Sequence, residues 1–215
     1  MTTTSQIAAI VRSLYPTGPA LRRAILRLRP YNCPLDVLLS LLPDSGSVFD
    51  IGCGCGLLLG LAVRSGKSIR GVGVDTSKGA IQMAKDMGVE IEFRCVRSIA
   101  DWPAEHFDAI SMIDVMHHIA PAQQGEAFAA AAARVKPGGI LIYKDMVRRP
   151  FWRAWANRLH DLLFARQWIH YYPIEWIDAA ARSFGLTRLR AERIDRLWYG
   201  HELRAFRRAT IPSVS

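Results

Sequence analysis

The chain has 215 residues, half of them apolar, and a formal net charge of +9. That suits one α/β domain with a large core, excludes disorder of the whole chain, and leaves no apolar run near the ~20 residues of a bilayer span. The charge is uneven: residues 1–30 carry five arginines and no acid, residues 148–215 carry 13 arginines and six acids, and the stretch between is mildly acidic. Basic flanks suit an acidic substrate, a nucleic acid or an anionic membrane surface, and equally a merely solvated surface. Met1 to Gln6 lacks the basic start of a signal peptide, so the expected compartment is the cytoplasm.

In chain order, Ile7, Ile10, Val11 and Leu14 predict a helix over 5–15, broken by Pro16-Thr17-Gly18-Pro19. Ala20 to Leu28 is a basic helical stretch. Arg29 to Pro34, with Tyr31 inside it, reads as a turn, and Leu35 to Leu42 as a helix. Val48-Phe49-Asp50-Ile51 is an apolar run containing an acid. Gly52-Cys53-Gly54-Cys55-Gly56 follows, and then the helical stretch Leu57 to Arg64. This is a strand, a tight turn and a helix start. Alternate glycines permit backbone angles closed to other residues and let a ligand lie against main-chain N–H groups. The spacing is neither that of dinucleotide binding nor that of a P-loop. Cys53 and Cys55 read as small turn residues, since a C-x-C pair alone is a poor zinc signature.

Arg70 to Asp75 predicts a second strand ending in an acid. Such an acid, roughly 20 residues past the glycine turn of a βαβ unit, can accept both hydroxyls of a ribose. Ser77 can cap the next helix, which runs to Met87, and Ile91 to Val96 is a third strand. Ala109 to Ile113 is the fourth strand, followed by Asp114, His117 and His118. Gln123 to Val135 is an alanine-rich helix, Pro137-Gly138-Gly139 a turn, and Ile140 to Tyr143 a fifth strand leading to Lys144-Asp145-Met146. Open α/β sheets bind ligands at the carboxyl ends of their strands, which groups these side chains at one crevice. His118 is the leading general base and His117 the second, because imidazole titrates near neutral pH; each also reads as a packed polar residue. Phe151 to Tyr172 is helical and aromatic, with Trp152, Trp155, Leu159 and Leu162 on one stripe. A last helix begins near Pro173, spans Asp178 to Phe184 and closes at Gly185. Leu186–Ile194 and Leu197–Phe206 then read as an antiparallel hairpin.

Four segments in order resemble the class I S-adenosylmethionine-dependent methyltransferases: Phe49 to Gly56, Gly73 to Ser77, Phe107 to Ile119 and Val135 to Tyr143. The resemblance implies a Rossmann-like α/β fold. Its seven-stranded, mostly parallel sheet has the order 3-2-1-4-5-7-6 and helices on both faces. It implies one domain over 1–215, with an N-terminal helical cap over 1–43 and a lid-like insertion over 147–172. The implied cofactor is S-adenosyl-L-methionine, held by Asp50, Gly52, Cys53, Gly54 and Gly56, by Asp75 and Thr76, by Ser98 and Ile99, and by Asp114. The family usually has an acid where Ser98 stands; a serine accepts the adenine amino group neutrally, and Asp101 is the alternative. Tyr31, Trp152, Trp155, Trp168 and Tyr171 are the acceptor contacts the resemblance suggests.

The expected reaction is methyl transfer, at oxygen before nitrogen or carbon, to a small-molecule or lipid-like biosynthetic intermediate, anionic or carrier-bound. No metal is expected, since no Asp…Asp-Asn set is present, and base-flipping DNA methylation is disfavoured because no Asn/Asp-Pro-Pro-Tyr/Phe stretch occurs. The aromatic segment also suits peripheral contact with a membrane. Two other classes stay open. An RNA methyltransferase fits the basic flanks, although no RRM or KH signature accompanies them. A non-catalytic cofactor-binding subunit is the third reading. Oligomeric state and acceptor are not legible.

Overall fold

The computed structural model describes residues 2–146, 173–197 and 199–210. Three helices come first: α1 (Thr4–Leu14), α2 (Ala20–Asn32) and α3 (Leu35–Leu41). α1 starts at a capping box, in which Thr3 and Gln6 satisfy each other's backbone N–H groups, and buries Ile7, Val11 and Leu14. Then β1 (Ser45–Ile51), α4 (Leu57–Arg64), β2 (Ser68–Asp75), α5 (Lys78–Lys85), β3 (Glu92–Cys95), β4 (Phe107–Ile113), α6 (Pro121–Ala133) and β5 (Val135–Met146) follow. Past 172 come α7 (Ile174–Ser183), β6 (Leu186–Arg196) and β7 (Tyr199–Arg208).

The strands form one sheet in the order β3-β2-β1-β4-β5-β7-β6. β1 to β5 pair in parallel, and β7 runs antiparallel to both β5 and β6. Parallel strands joined by helical crossovers are covered on both faces, so their side chains alternate between two apolar cores rather than between core and water. Val48 and Ala109 join Leu14, Leu59, Leu61 and Ile81 on one side, while Phe49 and Ile110 join Phe128, Ala131, Ile177 and Phe206 on the other.

Two local expectations need correction. Arg29 to Asn32 is not a turn: α2 runs through Pro30 to Asn32, and the Cys33 N–H still donates to the Arg29 carbonyl at 2.9 Å. A proline so near a helix end forfeits one bond without stopping the helix. Pro137-Gly138-Gly139 is not a separate turn but lies within β5, as a bulge. Phe107 pairs with Val135 and Ala109 with Ile140, so two steps on β4 answer five on β5. Gly138 takes a φ of 78°, and a Cβ on Gly139 would lie 2.9 Å from the Asp108 carbonyl.

Candidate active site

The glycine turn is built around the end of β2. The N–H groups of Gly52 and Cys53 both donate to the Val74 carbonyl, and that of Gly54 donates to Asp75 Oδ2, all at 2.9 Å. Asp75 Oδ1 accepts from the Ser77 N–H at 2.8 Å, so this carboxylate holds both the turn and the start of α5. Gly52, Gly54 and Gly56 all have positive φ, but they differ in what surrounds them. A Cβ on Gly52 would lie 2.3 Å from Val115 Cγ2, and one on Gly56 would lie 2.7 Å from the Phe93 ring, whereas one on Gly54 would meet nothing within 4 Å among the described residues. Gly54 is therefore where the main chain stands open to a ligand. Tyr15 closes the turn from the α1 side, its hydroxyl donating to the Cys55 carbonyl at 2.8 Å.

Cys53 lies buried against β2: a Cβ on Gly73 would come 2.9 Å from its Sγ. Burial pushes the Cys53 thiol pKa up, so it acts as a small apolar filler. Asp50 is buried as well, and its Oδ1 accepts from the Ser111 hydroxyl at 2.6 Å across the β1–β4 pair. Burial raises its pKa to about 7, with the charge of Asp75 adding to the rise and the Ser111 hydrogen bond opposing it.

At the end of β3 the Val96 N–H donates to the Asp75 carbonyl at 3.0 Å, which leads the chain to a 3-10 turn over Ile99–Asp101. Asp101 faces back into that turn. Its Oδ2 accepts from the Ser98 N–H and hydroxyl, both at 3.0 Å, and from the Arg97 N–H at 3.1 Å. Asp101 is thus committed as a cap, while the Ser98 oxygen, having donated, still accepts. Thr76 is exposed beside Asp75.

A second group of side chains gathers at the ends of β4 and β5. Asp114 has a φ of 53°, and its N–H donates to the Lys144 carbonyl at 2.8 Å. The fully buried Lys144 Nζ reaches both Asp114 oxygens at 2.7 Å, and Arg29 from α2 reaches Oδ2 at 3.3 Å. Burial alone would raise the Asp114 pKa, but these two cations overcome it and hold the carboxyl well below the ordinary range. Next to it, His117 Nδ1 lies 2.6 Å from Asp145 Oδ1, with both side chains buried. Asp145 also accepts from the Met146 N–H at 2.8 Å and the Tyr143 hydroxyl at 3.4 Å. The exposed His118 ring lies against that of His117 at 4.1 Å between centroids, the two planes tilted by 51°. The Gln124 amide donates to the carbonyls of Met116 and Ile119, at 2.8 and 3.0 Å, and so fixes the short turn carrying both histidines. From β7, buried His201 donates through Nε2 to the Asn32 carbonyl at 2.7 Å, and burial lowers its pKa to about 4.

The fold brings the sequence-expected residues to the carboxyl ends of the parallel strands in two groups, Asp50 to Gly56 with Asp75, Thr76, Ser98 and Ile99, and Asp114 with His117 and His118. Tyr31 is instead exposed on the outward side of α2. Trp152, Trp155, Trp168 and Tyr171 lie outside the described residues. Tyr15, Arg29 and His201 escape the sequence reading because each reaches the site from a distant element.

A seven-stranded sheet in this order, with its seventh strand reversed and an open glycine turn after β1, is the fold of the class I methyltransferases. Residues 20–191 match the family model described as a methyltransferase domain, and the chain belongs to that family of S-adenosylmethionine-dependent methyltransferase domains. It is 35% identical over 109 residues to a ubiquinone biosynthesis O-methyltransferase of Alkalilimnicola ehrlichii, covering 48% of this chain and 42% of that protein. It is 31% identical over 133 residues to the protein of that name from a Bradyrhizobium species, covering 60% and 50%. The matches thus span about half the length of those relatives. Among solved structures, magnesium protoporphyrin IX methyltransferase of Synechocystis PCC 6803 with bound S-adenosylhomocysteine superposes with a TM-score of 0.68 at 17% identity. That match covers 94% of this chain and 93% of that one, a likeness of fold.

Proposed function

We propose that the protein transfers a methyl group to an oxygen of a small, partly apolar acceptor, with His118 taking the proton. The observation that carries this reading is the pairing of an open main-chain cradle at Gly54 with a histidine pair anchored by Asp145 at the same carboxyl ends of the parallel strands. The O-methyltransferase names of the relatives, at about 30% identity, support oxygen as the acceptor atom.

The residues present fit S-adenosylmethionine. Gly54 leaves room for a ligand against the backbone, Asp75 offers acceptor oxygens for a ribose, and the Ser98 oxygen offers one for an adenine amino group. When bound, this cofactor supplies an electrophilic methyl on a cationic sulfur. The chain's task is to hold an acceptor in line and to remove its proton. His118 is exposed and can reach an acceptor hydroxyl, whereas His117 is buried and serves as its support. Asp145 orients His117, and the contact between the two tilted rings sets the position of His118. Lys144 and Arg29 set two positive charges against the one negative charge of Asp114, and the positive excess of this group favours an acceptor that becomes anionic as its proton leaves.

The test is a methyl-transfer assay against a panel of phenols, catechols, carboxylates and amines, run with wild type and His118→Ala. Transfer confined to amines in the wild type would overturn the oxygen assignment. Equal turnover in both proteins would overturn the role of His118.

A further inference from the structure

The outward side of α2 is apolar. Leu21, Ile25, Leu28 and Tyr31, 57%, 36%, 58% and 43% exposed, step by four, three and three and form one stripe along the helix. They are four of the seven exposed large hydrophobic residues found among the described residues; the other three, Phe184, Leu189 and Leu197, are scattered. On its inner side α2 buries only Leu26 and Pro30, so the helix presents more apolar bulk to solvent than to the core. An ordinary surface helix has the reverse arrangement.

The charge that α1 and α2 themselves carry has one sign. α2 carries Arg22, Arg23, Arg27 and Arg29, α1 adds Arg12, and residues 1–30 contain no acid. Arg27 is exposed at the border of the stripe and Arg12 is exposed on α1. We propose that this face of α2 docks the protein on an anionic lipid surface, with the four apolar side chains in the headgroup–acyl boundary and Arg12 and Arg27 against the headgroups. Apolar burial and attraction of basic residues to anionic lipid are the two forces that hold interfacial helices.

A second copy of the chain fits less well. A two-fold contact along α2 sets arginine-bearing edges against each other. Thirteen residues of helix span only ~20 Å, and four side chains fall far short of the ~800 Å² per partner typical of a stable dimer.

The location links the surface to the proposed chemistry. Past Leu28 the same helix enters the site: Arg29 bonds Asp114 at 3.3 Å, and the Asn32 carbonyl accepts from His201 at 2.7 Å. A partly apolar acceptor held in the lipid surface can thus reach the crevice from the side on which the helix rests. That consequence depends on the acceptor class proposed above; the docking itself does not.

Co-sedimentation with vesicles of phosphatidylglycerol and phosphatidylcholine, against phosphatidylcholine alone, tests the docking. The wild type is expected to bind the anionic vesicles at low salt and to release as salt rises. The Leu21→Glu/Leu28→Glu variant is expected to bind them about tenfold less or weaker still, with unchanged circular dichroism and unchanged S-adenosylhomocysteine affinity. Arg12→Gln/Arg27→Gln is expected to lose the preference for anionic lipid. Wild type that stays in the supernatant, or a leucine variant that sediments like wild type, overturns the proposal. So does a wild-type dimer that the leucine variant dissolves, in the absence of vesicle binding. A vesicle-free assay with a water-soluble phenol separates the two readings: turnover there should be the same in wild type and leucine variant, and its absence in both counts against the acceptor and not against the docking.

Discussion

Nδ1 of His117 lies 2.6 Å from Oδ1 of Asp145, both buried, and the exposed ring of His118 is tilted against that of His117 with centroids 4.1 Å apart. A carboxylate on Nδ1 fixes the tautomer and orientation of an imidazole. The order Asp145, His117, His118 therefore leads from the interior to the crevice.

If His118 takes the proton, His118→Ala lowers turnover by roughly 10²–10⁴ while S-adenosylhomocysteine affinity barely moves. Asp145→Asn keeps the shape and removes the charge, and its loss should be smaller and confined to kcat. Steady-state kinetics beside calorimetry provide both readouts. A collapse in His117→Ala with normal turnover in His118→Ala reverses the assignment.

Asp75 has one oxygen on the glycine turn and the other on the cap of α5. Removing its proposed charge-assisted bonds to a ribose costs about 1.5–3 kcal/mol, so Asp75→Ala should weaken S-adenosylhomocysteine binding roughly ten- to a hundredfold. Asp75→Asn retains one acceptor oxygen and should lose less. Equal affinity in wild type and Asp75→Ala, measured by calorimetry, sinks the ribose assignment.

Gly52 and Gly54 should separate stability from binding. Both have positive φ, so alanine at either costs about 1 kcal/mol of backbone strain. Gly52→Ala also drives a Cβ into Val115, worth a further ~1–3 kcal/mol, and should lower Tm by several degrees. Gly54→Ala meets no atom of the described residues and projects into the space open to a ligand. It should melt near wild type yet bind S-adenosylhomocysteine much more weakly. A Gly54→Ala protein that binds normally would show that the ligand does not lie against this turn.

The parts of this fold visible in the sequence are those written locally. The run Val48 to Ile51, the alternating glycines and the acids at 50, 75 and 114 mark strand ends within a few residues, and the structure keeps each near its expected place. The parts that were not visible depend on partners far along the chain. Arg29 meets Asp114 across 85 positions and Tyr15 meets Cys55 across 40, and neither contact has a periodicity to betray it. Pro30 and the Pro137-Gly138-Gly139 stretch misled for another reason. Local breaker signals marked a helix end and a turn, while the hydrogen bonds of Cys33 and the β4–β5 pairing carry the helix and the strand past them. Asp145 was visible as an acid at a strand end; its role was not, because only the fold sets it against His117.

The last prediction concerns pH. Asp50 has its pKa raised from 3.8 to about 7 by burial, helped by the charge of Asp75. An unfolded chain gives up this proton near pH 4 and the folded one near pH 7. The stability from the neutral buried acid is therefore complete below about pH 4, falls as pH rises to about 7 and is level above that. His201 behaves oppositely. Burial lowers its pKa from 6.5 to about 4, so its contribution is complete above about pH 6.5 and is lost as pH falls towards 4. In the wild type the two slopes oppose each other over that shared window and flatten the profile. Single variants should expose each in turn. Asp50→Asn leaves the His201 limb alone, so its urea midpoint should fall on acidification from pH 6.5 to 4.5. His201→Gln leaves the Asp50 limb alone, so its midpoint should fall as pH rises over the same range. Denaturation series at half-unit pH steps decide the matter. Profiles for the two variants that run parallel to wild type would mean that neither side chain changes its protonation on unfolding.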